Sequence, residues 1–398
     1  MNQIKLIASL FYKGIIYVLA SILPKNKSVW VFGAWFGDKY SDNSKAFFQY
    51  VNQYRPQISA IWISKNNELI KELRNKGFRA YNMHSFIGIY YQLTASFAFV
   101  CQAHDVDLFA PTIGKKTKIV NLWHGLPLKK IIYDEFGHIS IKKNLKGRIV
   151  DFLSPYKKMR NDYLIATNER TQKTLSGAFR IPIARVLITG FPRNDVFINQ
   201  DSNMQSTAHY KVIYMPTMRK QENGSNALFE NFGFNVDKIS KELSKHNIKL
   251  VLRLHPVNKA PENLLTEIKA SKNISFDFSD DIYDTIASYD CLVTDYSSIY
   301  FDFLLSKKPI LFAPFDLSDY KEKERELYYE FEDVTLPPYS FNWPSLIENI
   351  INCKNSNNEE NYNTSYRQLT DMFHRSNNNQ KHSKILINKL NELQQANN

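Results

Sequence analysis

Short apolar segments that alternate with segments of helical period constrain the fold of this chain more than any other feature. In the first half, Asn43–Tyr54 and Asn66–Asn75 carry apolar residues at helical spacing. The strand-like segments around them are Val29–Gly33, Ser59–Ser64, Ser96–Cys101, Lys118–Leu122, Tyr163–Thr167 and Arg185–Thr189. Strands that alternate with helices of about ten residues are typical of parallel sheets. A basic, weakly periodic segment, Ile139–Arg160, is interpreted as a helical excursion.

The same alternation restarts after the polar stretch Asp201–His209. Here the predicted strands are Lys211–Met215, Ile248–Leu254, Cys291–Thr294 and Pro309–Phe312. The predicted helices are Val236–His246, Glu262–Ser271, Asp281–Ser288 and Ser297–Ser306, followed near the end of the chain by Ser383–Leu393. We therefore predict an α/β fold of two Rossmann-like parallel-sheet domains that face a cleft. In such sheets ligands bind beyond the carboxyl ends of the strands.

The N-terminal segment Leu6–Leu23 has 18 residues that are apolar except for small residues, tyrosines and Lys13. A membrane-spanning helix needs about 20 apolar residues, and Lys13 would lie in mid-span. A helix lying in the membrane interface, with its lysines reaching to the surface, fits this pattern better. An ordinary buried first helix is the alternative.

These patterns predict four segments. Residues 1–26 form a membrane-associating helix, and residues 27–205 form a Rossmann-like domain with a basic, membrane-facing excursion. Residues 206–352 form a second Rossmann-like domain. Residues 353–398, rich in Asn and Gln, form a packed helix with a frayed end.

Positive charge is concentrated in one stretch of the chain. The sequence has 51 Lys and Arg against 39 Asp and Glu, a net charge of +12, and 17 of these basic residues lie between Lys115 and Arg193. Such a stretch indicates an anionic partner, and a solvated basic face is the alternative. No nucleic-acid-binding module is recognisable, so we predict no nucleic-acid partner. The 3 cysteines are too far apart in sequence for a disulfide framework, which fits a reducing compartment.

His124 is the first candidate catalytic residue, because it directly follows a predicted strand in the segment Asn121–Lys130. Gly125 allows the chain to turn there. A histidine on such a turn can act as a general base toward a hydroxyl, since its pKa lies near working pH. A structural histidine in the turn is the alternative.

Candidate anion ligands follow four other strands. Arg253 and His255 lie two residues apart, so they point to the same side of their strand and can both donate to a phosphate. Ser297 and Ser298 follow Asp295 at a predicted helix start, where free backbone N–H groups suit phosphate, although a simple helix cap is the alternative. The segments Gly190–Asp195 and Tyr214–Arg219 each place an arginine, Arg193 or Arg219, where it can meet a phosphate or merely close a turn.

The sequence contains no glycine-rich dinucleotide or P-loop motif and no GxSxG elbow, and its histidine spacing does not suggest a metal site. Six ordered segments instead resemble the CDP-glycerol glycerophosphotransferase family, the teichoic-acid primases and polymerases. The segments are residues 37–45, WHGLPLKK at 123–130, GFPRND at 190–195, YMPTMR at 214–219, RLHP at 253–256 and the run from TDYSS to DLSDY at 294–320. The resemblance implies a GT-B-type fold, peripheral membrane association, and transfer of a polyol phosphate from a CDP-activated donor with release of CMP.

The resemblance also implies roles for individual residues. His124 resembles the general base for the acceptor hydroxyl, and His255 resembles a donor-phosphate ligand that also assists departure of CMP. The other residues matching donor-binding motifs are Pro216, Thr217, Arg219, Arg253, Asp295, Ser297 and Ser298. The residues matching acceptor-side motifs are Asp42, Asn43, Gly125, Lys129, Arg193, Asn194 and Asp195. The first domain is thereby the acceptor side and the second binds the CDP donor.

We therefore predict a polyol phosphate transferase at the cytoplasmic face of the membrane. Its donor is CDP-glycerol or another CDP-polyol, its acceptor is lipid-linked or a glycan, and it has no obligatory cofactor or metal. It serves teichoic-acid-like or capsule polysaccharide synthesis and holds to an anionic membrane surface. Two alternatives are a GT-B glycosyltransferase with a nucleotide-sugar donor and a non-catalytic protein that binds membranes or polyanions.

Overall fold

The computed structural model describes residues 3–136, 145–198, 209–219, 227–255, 258, 260–323, 326–356, 364–375 and 379–396. The chain divides into two compact units. The first unit comprises Met1–His124, Phe136–Asp195 and Gln380–Asn398. The second unit comprises Gly125–Glu135 and Val196–Asn379.

A sheet of seven parallel strands forms the centre of the first unit, with the order β3-β2-β1-β4-β5-β6-β7. Its strands are β1 (Asn26–Phe32), β2 (Ser59–Ser64), β3 (Ala80–Asn82), β4 (Ala95–Val100), β5 (Lys118–Asn121), β6 (Tyr163–Ala166) and β7 (Val186–Ile188). The helices in this part of the chain are α1 (Gln3–Ile22), α2 (Asp42–Tyr54), α3 (Asn67–Asn75), α4 (Phe86–Thr94), α5 (His104–Asp107), α6 (Tyr133–Phe136), α7 (Leu145–Leu153) and α8 (Glu169–Phe179).

The second unit has a sheet of five parallel strands in the order β10-β9-β8-β11-β12. Its strands are β8 (Tyr210–Met215), β9 (Ile248–Leu252), β10 (Ile274–Phe276), β11 (Cys291–Thr294) and β12 (Ile310–Phe312). The later helices are α9 (Ala227–Glu230), α10 (Val236–Lys245), α11 (Glu262–Ala270), α12 (Ile299–Phe303), α13 (Leu317–Lys323), α14 (Trp343–Asn355), α15 (Thr364–Phe373) and α16 (His382–Ala396).

Aromatic packing on the central strands stabilises each sheet. In the first unit Trp30 of β1 lies in register with Phe97 of β4, and the Phe32 and Phe99 rings stack at 4.6 Å between centroids. In the second unit the buried Trp343 of α14 packs 5.0 Å from Tyr214 of β8, and its indole N–H donates to the Leu228 carbonyl at 2.7 Å. Central parallel strands are buried on both faces, which explains their continuous apolar runs.

The predicted α/β fold with two parallel sheets is confirmed, and most predicted strands agree with the structure within a residue or two. The predicted helix Asp281–Ser288 is instead two 3-10 turns, Ile282–Asp284 and Ile286–Ser288, because Thr285 between them leaves helical geometry with φ −130°. The predicted helix Ser297–Ser306 shortens to α12 and a 3-10 turn. Of the predicted excursion Ile139–Arg160, residues 139–144 lie outside the described residues and Leu145–Leu153 is α7. The cleft between the domains stays a prediction.

The C-terminal helix α16 belongs to the first unit, whereas α15 belongs to the second, so the predicted segment 353–398 divides between the two units. Asp195 fixes the start of α16, because its carboxylate accepts from the backbone N–H of His382 at 2.5 Å and of Ser383 at 3.2 Å. A carboxylate at a helix N-terminus satisfies N–H groups that have no partner within the helix. Gly125–Glu135 likewise lies in the second unit rather than in the predicted N-terminal domain.

The N-terminal helix α1 packs on the first unit along one side only. Leu10 and Ala20 are 5% and 0% exposed, whereas Phe11, Val18 and Ile22 are 59–62% exposed. Within the described residues, no helix combines the length and apolar character needed to cross a membrane. The helix is therefore neither fully buried nor a spanning segment, and its association with a membrane surface stays a prediction.

We expect Gly114→Ala to displace α1. An added Cβ would lie 2.1 Å from the Ala20 carbonyl oxygen, which is backbone and cannot rotate away. Overpacking of this kind costs about 1–3 kcal/mol, to be measured as the free energy of unfolding in urea. Gly177→Ala is the matched control. Its Cβ meets nothing within 4 Å, and it lies inside α8, so we expect a gain of about 0.5–1 kcal/mol. Equal stability of the two variants would contradict the packing of α1.

Candidate active site

His124 lies at the carboxyl end of β5, where it is half-buried. Its ring Nδ1 is 3.1 Å from the Cys101 carbonyl oxygen. A carbonyl can only accept a hydrogen bond, so Nδ1 carries the hydrogen in the neutral ring and Nε2 keeps the lone pair. Burial lowers the pKa of His124, and Arg193 lowers it further, while Asp42 and the Cys101 carbonyl partly oppose the shift. The ring is therefore neutral at pH 7, as a general base must be.

Asn43 holds the turn that presents His124. Its side-chain amide donates to the carbonyls of Leu122 at 3.0 Å and Trp123 at 2.9 Å, while its oxygen accepts from the Arg193 backbone N–H at 3.1 Å. Trp123 has φ +51°, a conformation that costs energy for a bulky residue. Such a conformation persists only where surrounding contacts hold it. The fully buried Asn43 thus ties α2 to the loops after β5 and β7.

Asp42 and Arg193 form a buried ion pair beneath the same turn. The guanidinium donates to the Asp42 carboxylate at 2.8 Å and to the His124 carbonyl oxygen at 2.9 Å, and the two side chains are 6% and 5% exposed. Asn194 is fully buried. Asp195 holds α16, and burial raises the pKa of its carboxyl. The structure thus brings Asp42, Asn43 and Arg193 together at the turn that carries His124, and their polar atoms bond to the protein itself. Contact with an acceptor stays a prediction for them.

Asp107 is a supporting residue that sequence analysis missed. Its buried carboxylate accepts from the backbone N–H groups of Phe36 at 2.9 Å, Cys101 at 2.9 Å and Gln102 at 2.8 Å. Burial raises the pKa of Asp107 to about 6 although these hydrogen bonds lower it. The carboxylate fixes both the loop after β4 that holds the His124 ring and the turn containing Trp35, whose ring centroid lies 5.9 Å from that of His124. Its sequence neighbours gave no sign of this role.

In the second unit, Asp295 joins the loops after β8 and β11. The fully buried carboxylate accepts from the Thr217 backbone N–H at 2.8 Å, the Thr217 hydroxyl at 2.7 Å and the Tyr296 backbone N–H at 2.6 Å. Its other oxygen accepts from the Arg219 guanidinium at 2.8 Å. Pro216 is buried between the strand and Thr217. These contacts place the predicted donor-binding residues of two loops side by side.

Arg219 is clamped between two carboxylates. Besides Asp295, it donates to both oxygens of Asp316 at 2.8 and 2.9 Å, and it is only 9% exposed. Burial alone lowers the pKa of the guanidinium, but Asp295 and Asp316 raise it overall, so the charge is kept. The guanidinium is thus occupied by the protein, whereas the sequence suggested a phosphate ligand. Asp316, in the loop after β12, was not predicted from the sequence.

Asn258 joins the loop after β9 to this cluster. Its side chain accepts from the Arg219 backbone N–H at 3.1 Å and donates to the Arg219 carbonyl at 3.0 Å, while its own N–H donates to the His255 carbonyl at 2.8 Å. His255 is half-buried next to it. Arg253 donates to Asp277 at 2.7 Å and to Ser279, so it too has carboxylate and hydroxyl partners. The five loops at the carboxyl edge of this sheet therefore form one connected network.

Ser297 and Ser298 lie half-buried at the start of α12. Ser298 is the N-cap residue, but its φ of −68° and ψ of −2° are helical, and its hydroxyl makes no capping hydrogen bond. An N-cap side chain typically reaches the first turn from an extended backbone, so Ser298 is not the simple helix cap that was the alternative. Within the described part of the chain, neither hydroxyl is hydrogen-bonded to another residue.

Lys129 and Gly125 lie in the second unit, and their role toward an acceptor stays a prediction. The Lys129 ammonium is 4.8 Å from the centroid of the Tyr320 ring, and that ring stacks on Tyr296 at 3.7 Å. Gly125 has φ +152°, a conformation that favours glycine. Lys129 is therefore next to the loop that carries Asp295. Among the described residues, no group of three His, Cys, Asp or Glu side chains is placed to hold a metal ion.

The two parallel sheets, each with polar loops at its carboxyl edge, define a GT-B-like fold. The CDP-Glycerol:Poly(glycerophosphate) glycerophosphotransferase family matches residues 15–389, and the chain belongs to this family.

Similar proteins support this assignment. The chain is 29% identical to a teichoic acid poly(glycerol phosphate) polymerase of Bacillus spizizenii, with 89% of this chain and 91% of the relative covered. It is 27% identical to a teichoic acid ribitol-phosphate primase of the same species, with 84% of each covered. Among solved structures, the wall teichoic acid polymerase TagF superposes with a TM-score of 0.73 over 97% of this chain and 94% of the other, at 22% identity. The last comparison shows the fold.

We expect Arg219→Lys to weaken both stability and donor binding. One ammonium cannot span two carboxylates as the planar guanidinium does, so a buried carboxylate loses its partner. The expected loss is about 2 kcal/mol in the free energy of unfolding and a rise of roughly tenfold in KM for the CDP donor. Arg79→Lys, at an exposed residue that contacts the Ser59 hydroxyl, is the matched control and should change neither. If Arg219→Lys unfolds at the same urea midpoint as the wild type, the contact of Arg219 with both carboxylates does not stabilise the fold as we expect.

Proposed function

We propose that this protein transfers glycerol phosphate, or a related polyol phosphate, from a CDP-activated donor to a hydroxyl of a lipid-linked or glycan acceptor. CMP is released, and the product serves teichoic-acid-like or capsule polysaccharide synthesis. Family membership and the named activities of the relatives support this proposal. The single observation that carries it is the His124 ring, whose Nδ1 hydrogen bond to the Cys101 carbonyl leaves Nε2 as the base.

In the proposed reaction, the acceptor hydroxyl oxygen attacks the β-phosphorus of the CDP-polyol. The proton of that hydroxyl moves to His124 Nε2 as the new P–O bond forms. The bond between the β-phosphorus and the oxygen bridging to the α-phosphorus breaks, and its electron pair leaves with CMP. His255 stabilises or protonates this leaving oxygen.

On the donor side, we assign three groups to binding the diphosphate. They are the hydroxyls of Ser297 and Ser298 and the imidazole of His255. We assign an indirect role to Thr217, Arg219 and Asp295. Their polar atoms bond each other and so fix the loops that carry the diphosphate ligands. Arg253 adds positive charge beside Asp277. Stabilisation of the transition state is thus mainly electrostatic, from groups held in place before the substrate arrives.

We also assign the protein to the cytoplasmic face of the membrane as a peripheral protein. The exposed apolar residues of α1 and the lysines around it support this location, since an interfacial helix combines apolar burial with attraction to anionic lipid. A lipid-linked acceptor would be met there.

The experiment that tests the function is incubation of the purified protein with CDP-glycerol and lipid-linked or short glycan acceptors, with chromatography of the nucleotide product. Acceptor-dependent CMP establishes phosphotransfer. Release of a nucleoside diphosphate from nucleotide sugars, without CMP from any CDP-polyol, would establish the glycosyltransferase alternative instead.

We expect both His124→Ala and His124→Asn to abolish transfer, lowering the rate at least 100-fold, because neither side chain supplies a base. The asparagine amide replaces Nδ1 as donor to the Cys101 carbonyl, so this variant should keep wild-type stability and donor affinity. CMP release and thermal unfolding are measured on the same preparations. Normal turnover in His124→Asn would refute the role of Nε2.

The pH dependence of transfer follows from the lowered pKa of His124. We expect kcat/KM to be level from pH 7 to 8 and to fall on acidification with a midpoint below about 6.5, the ordinary value for histidine. The unfolded chain then binds the proton more readily than the folded chain, so His124 also makes stability fall below about pH 6.5. Thermal unfolding at each pH separates the two effects. A kinetic midpoint above pH 7 would contradict the assignment.

A further inference from the structure

The turn after β1 contains two consecutive aromatic residues in the left-handed region of backbone conformation. Trp35 has φ +47° and Phe36 has φ +61°. Residues other than glycine rarely adopt this region, and bulky side chains adopt it only at a cost in free energy. Backbone strain of this kind persists where surrounding contacts hold it, and it clusters at active sites and ligand contacts. The strain therefore makes this turn a candidate for ligand binding.

Hydrogen bonds from two neighbouring segments hold the turn in place. The Phe36 backbone N–H donates to the buried Asp107 carboxylate at 2.9 Å. The Gly37 carbonyl accepts from the Ser64 hydroxyl at 2.6 Å and from the Lys65 backbone N–H at 2.8 Å. The helix α5 and the end of β2 thus fix the backbone of the turn, so both aromatic side chains start from a defined position before a ligand binds.

The two aromatic rings are partly open to solvent beside the proposed base. Phe36 is 49% exposed, and Trp35 is half-buried with its ring centroid 5.9 Å from that of His124. In the described part of the chain, the Trp35 indole N–H has no hydrogen-bond partner. The buried indoles of Trp30 and Trp343 differ, because each donates to a carbonyl. A ligand that reaches His124 therefore meets an aromatic ring with an available N–H donor.

The chemistry of this surface favours a saccharide. The face of an aromatic ring carries partial negative charge, which attracts the C–H groups on one side of a sugar ring. A sugar hydroxyl can also accept from the indole N–H. The phosphates of a polyol phosphate chain are instead repelled by the ring faces, and a hydrocarbon chain has no hydroxyl to present to His124. Of these ligands, only a sugar uses the rings, the N–H donor and the base together.

We propose that Trp35 and Phe36 form a saccharide-binding surface that places a sugar hydroxyl of the acceptor next to His124. The inference rests on the proposed transfer reaction and narrows it. The accepting hydroxyl then belongs to a glycan and not to the end of a polyol phosphate chain.

The first test compares soluble acceptors at saturating CDP-glycerol, with CMP release as the measurement. The acceptors are octyl glycosides of glucose, galactose and N-acetylglucosamine, and octyl glycerol phosphate. We expect the wild-type chain to use the best glycoside with about tenfold higher kcat/KM than octyl glycerol phosphate. Trp35→Ala should raise KM for that glycoside about tenfold and leave KM for CDP-glycerol unchanged, because the ring contacts only the acceptor. Wild-type preference for octyl glycerol phosphate, or equal losses toward both acceptors in Trp35→Ala, would overturn the proposal.

Further variants separate the aromatic surface from a general effect of removing a ring. Phe36→Ala and Phe152→Ala each remove an exposed phenyl ring from the first unit, and Phe152 lies in α7. We expect KM for the glycoside to rise about threefold in Phe36→Ala and to stay unchanged in Phe152→Ala. Trp35→Phe keeps a ring but loses the N–H donor, so its KM should lie between those of Trp35→Ala and the wild type. Equal KM values for Phe36→Ala and Phe152→Ala would contradict the proposed surface.

A binding measurement separates failure of this inference from failure of the proposed reaction. Saturation-transfer NMR with the same glycosides is run without donor on the wild-type chain and on Trp35→Ala. Glycoside binding that weakens about tenfold in Trp35→Ala supports the surface even where no CMP is released, and then only the transfer reaction fails. CMP release with octyl glycerol phosphate and no binding of any glycoside would leave the transfer reaction in place and overturn the inference.

Discussion

The buried contact of Arg219 with Asp295 and Asp316 is the interaction on which the second unit's site depends. One guanidinium binds carboxylates from the loops after β11 and β12, while its own backbone lies in the loop after β8. Removing charges from water is costly, and the cost is recovered here only because bidentate and single hydrogen bonds satisfy nearly every donor. The loops are thus held in one arrangement before a substrate binds.

The first unit also holds its loops in one arrangement, but with different polar groups. Asp42 and Arg193 form a buried pair, and Asn43 bonds the backbone on either side of it. In both units, a buried aspartate accepts hydrogen bonds from an arginine of another loop. Parallel strands bring successive loops to one edge but do not fix their mutual positions. Buried polar contacts fix those positions, and they hold the half-buried His124 in a defined orientation.

The sequence predicted the sheets well because central parallel strands are buried on both faces and read as apolar runs. It missed β3 and β10, which have three residues each and lie at the sheet edges, where the apolar signal is short. It also missed α4, whose exposed Phe86 and Tyr90 break the helical apolar pattern. Where the predicted helix Asp281–Ser288 breaks at Thr285, the period of the apolar residues alone could not distinguish an α-helix from two 3-10 turns.

The site residues show that a sequence motif predicts where a residue lies in the fold better than it predicts what its side chain binds. Arg193 and Arg219 are where the motifs put them, at strand ends, but an arginine in a sequence shows only its charge. Whether that charge faces a ligand or a carboxylate depends on burial, and the partners Asp42 and Asp316 lie 151 and 97 residues away in sequence. A guanidinium that already donates to two carboxylates has few N–H groups left for a phosphate. The diphosphate of a donor is therefore better matched by the Ser297 and Ser298 hydroxyls, which the protein leaves without hydrogen bonds in the described part of the chain, than by the clamped Arg219.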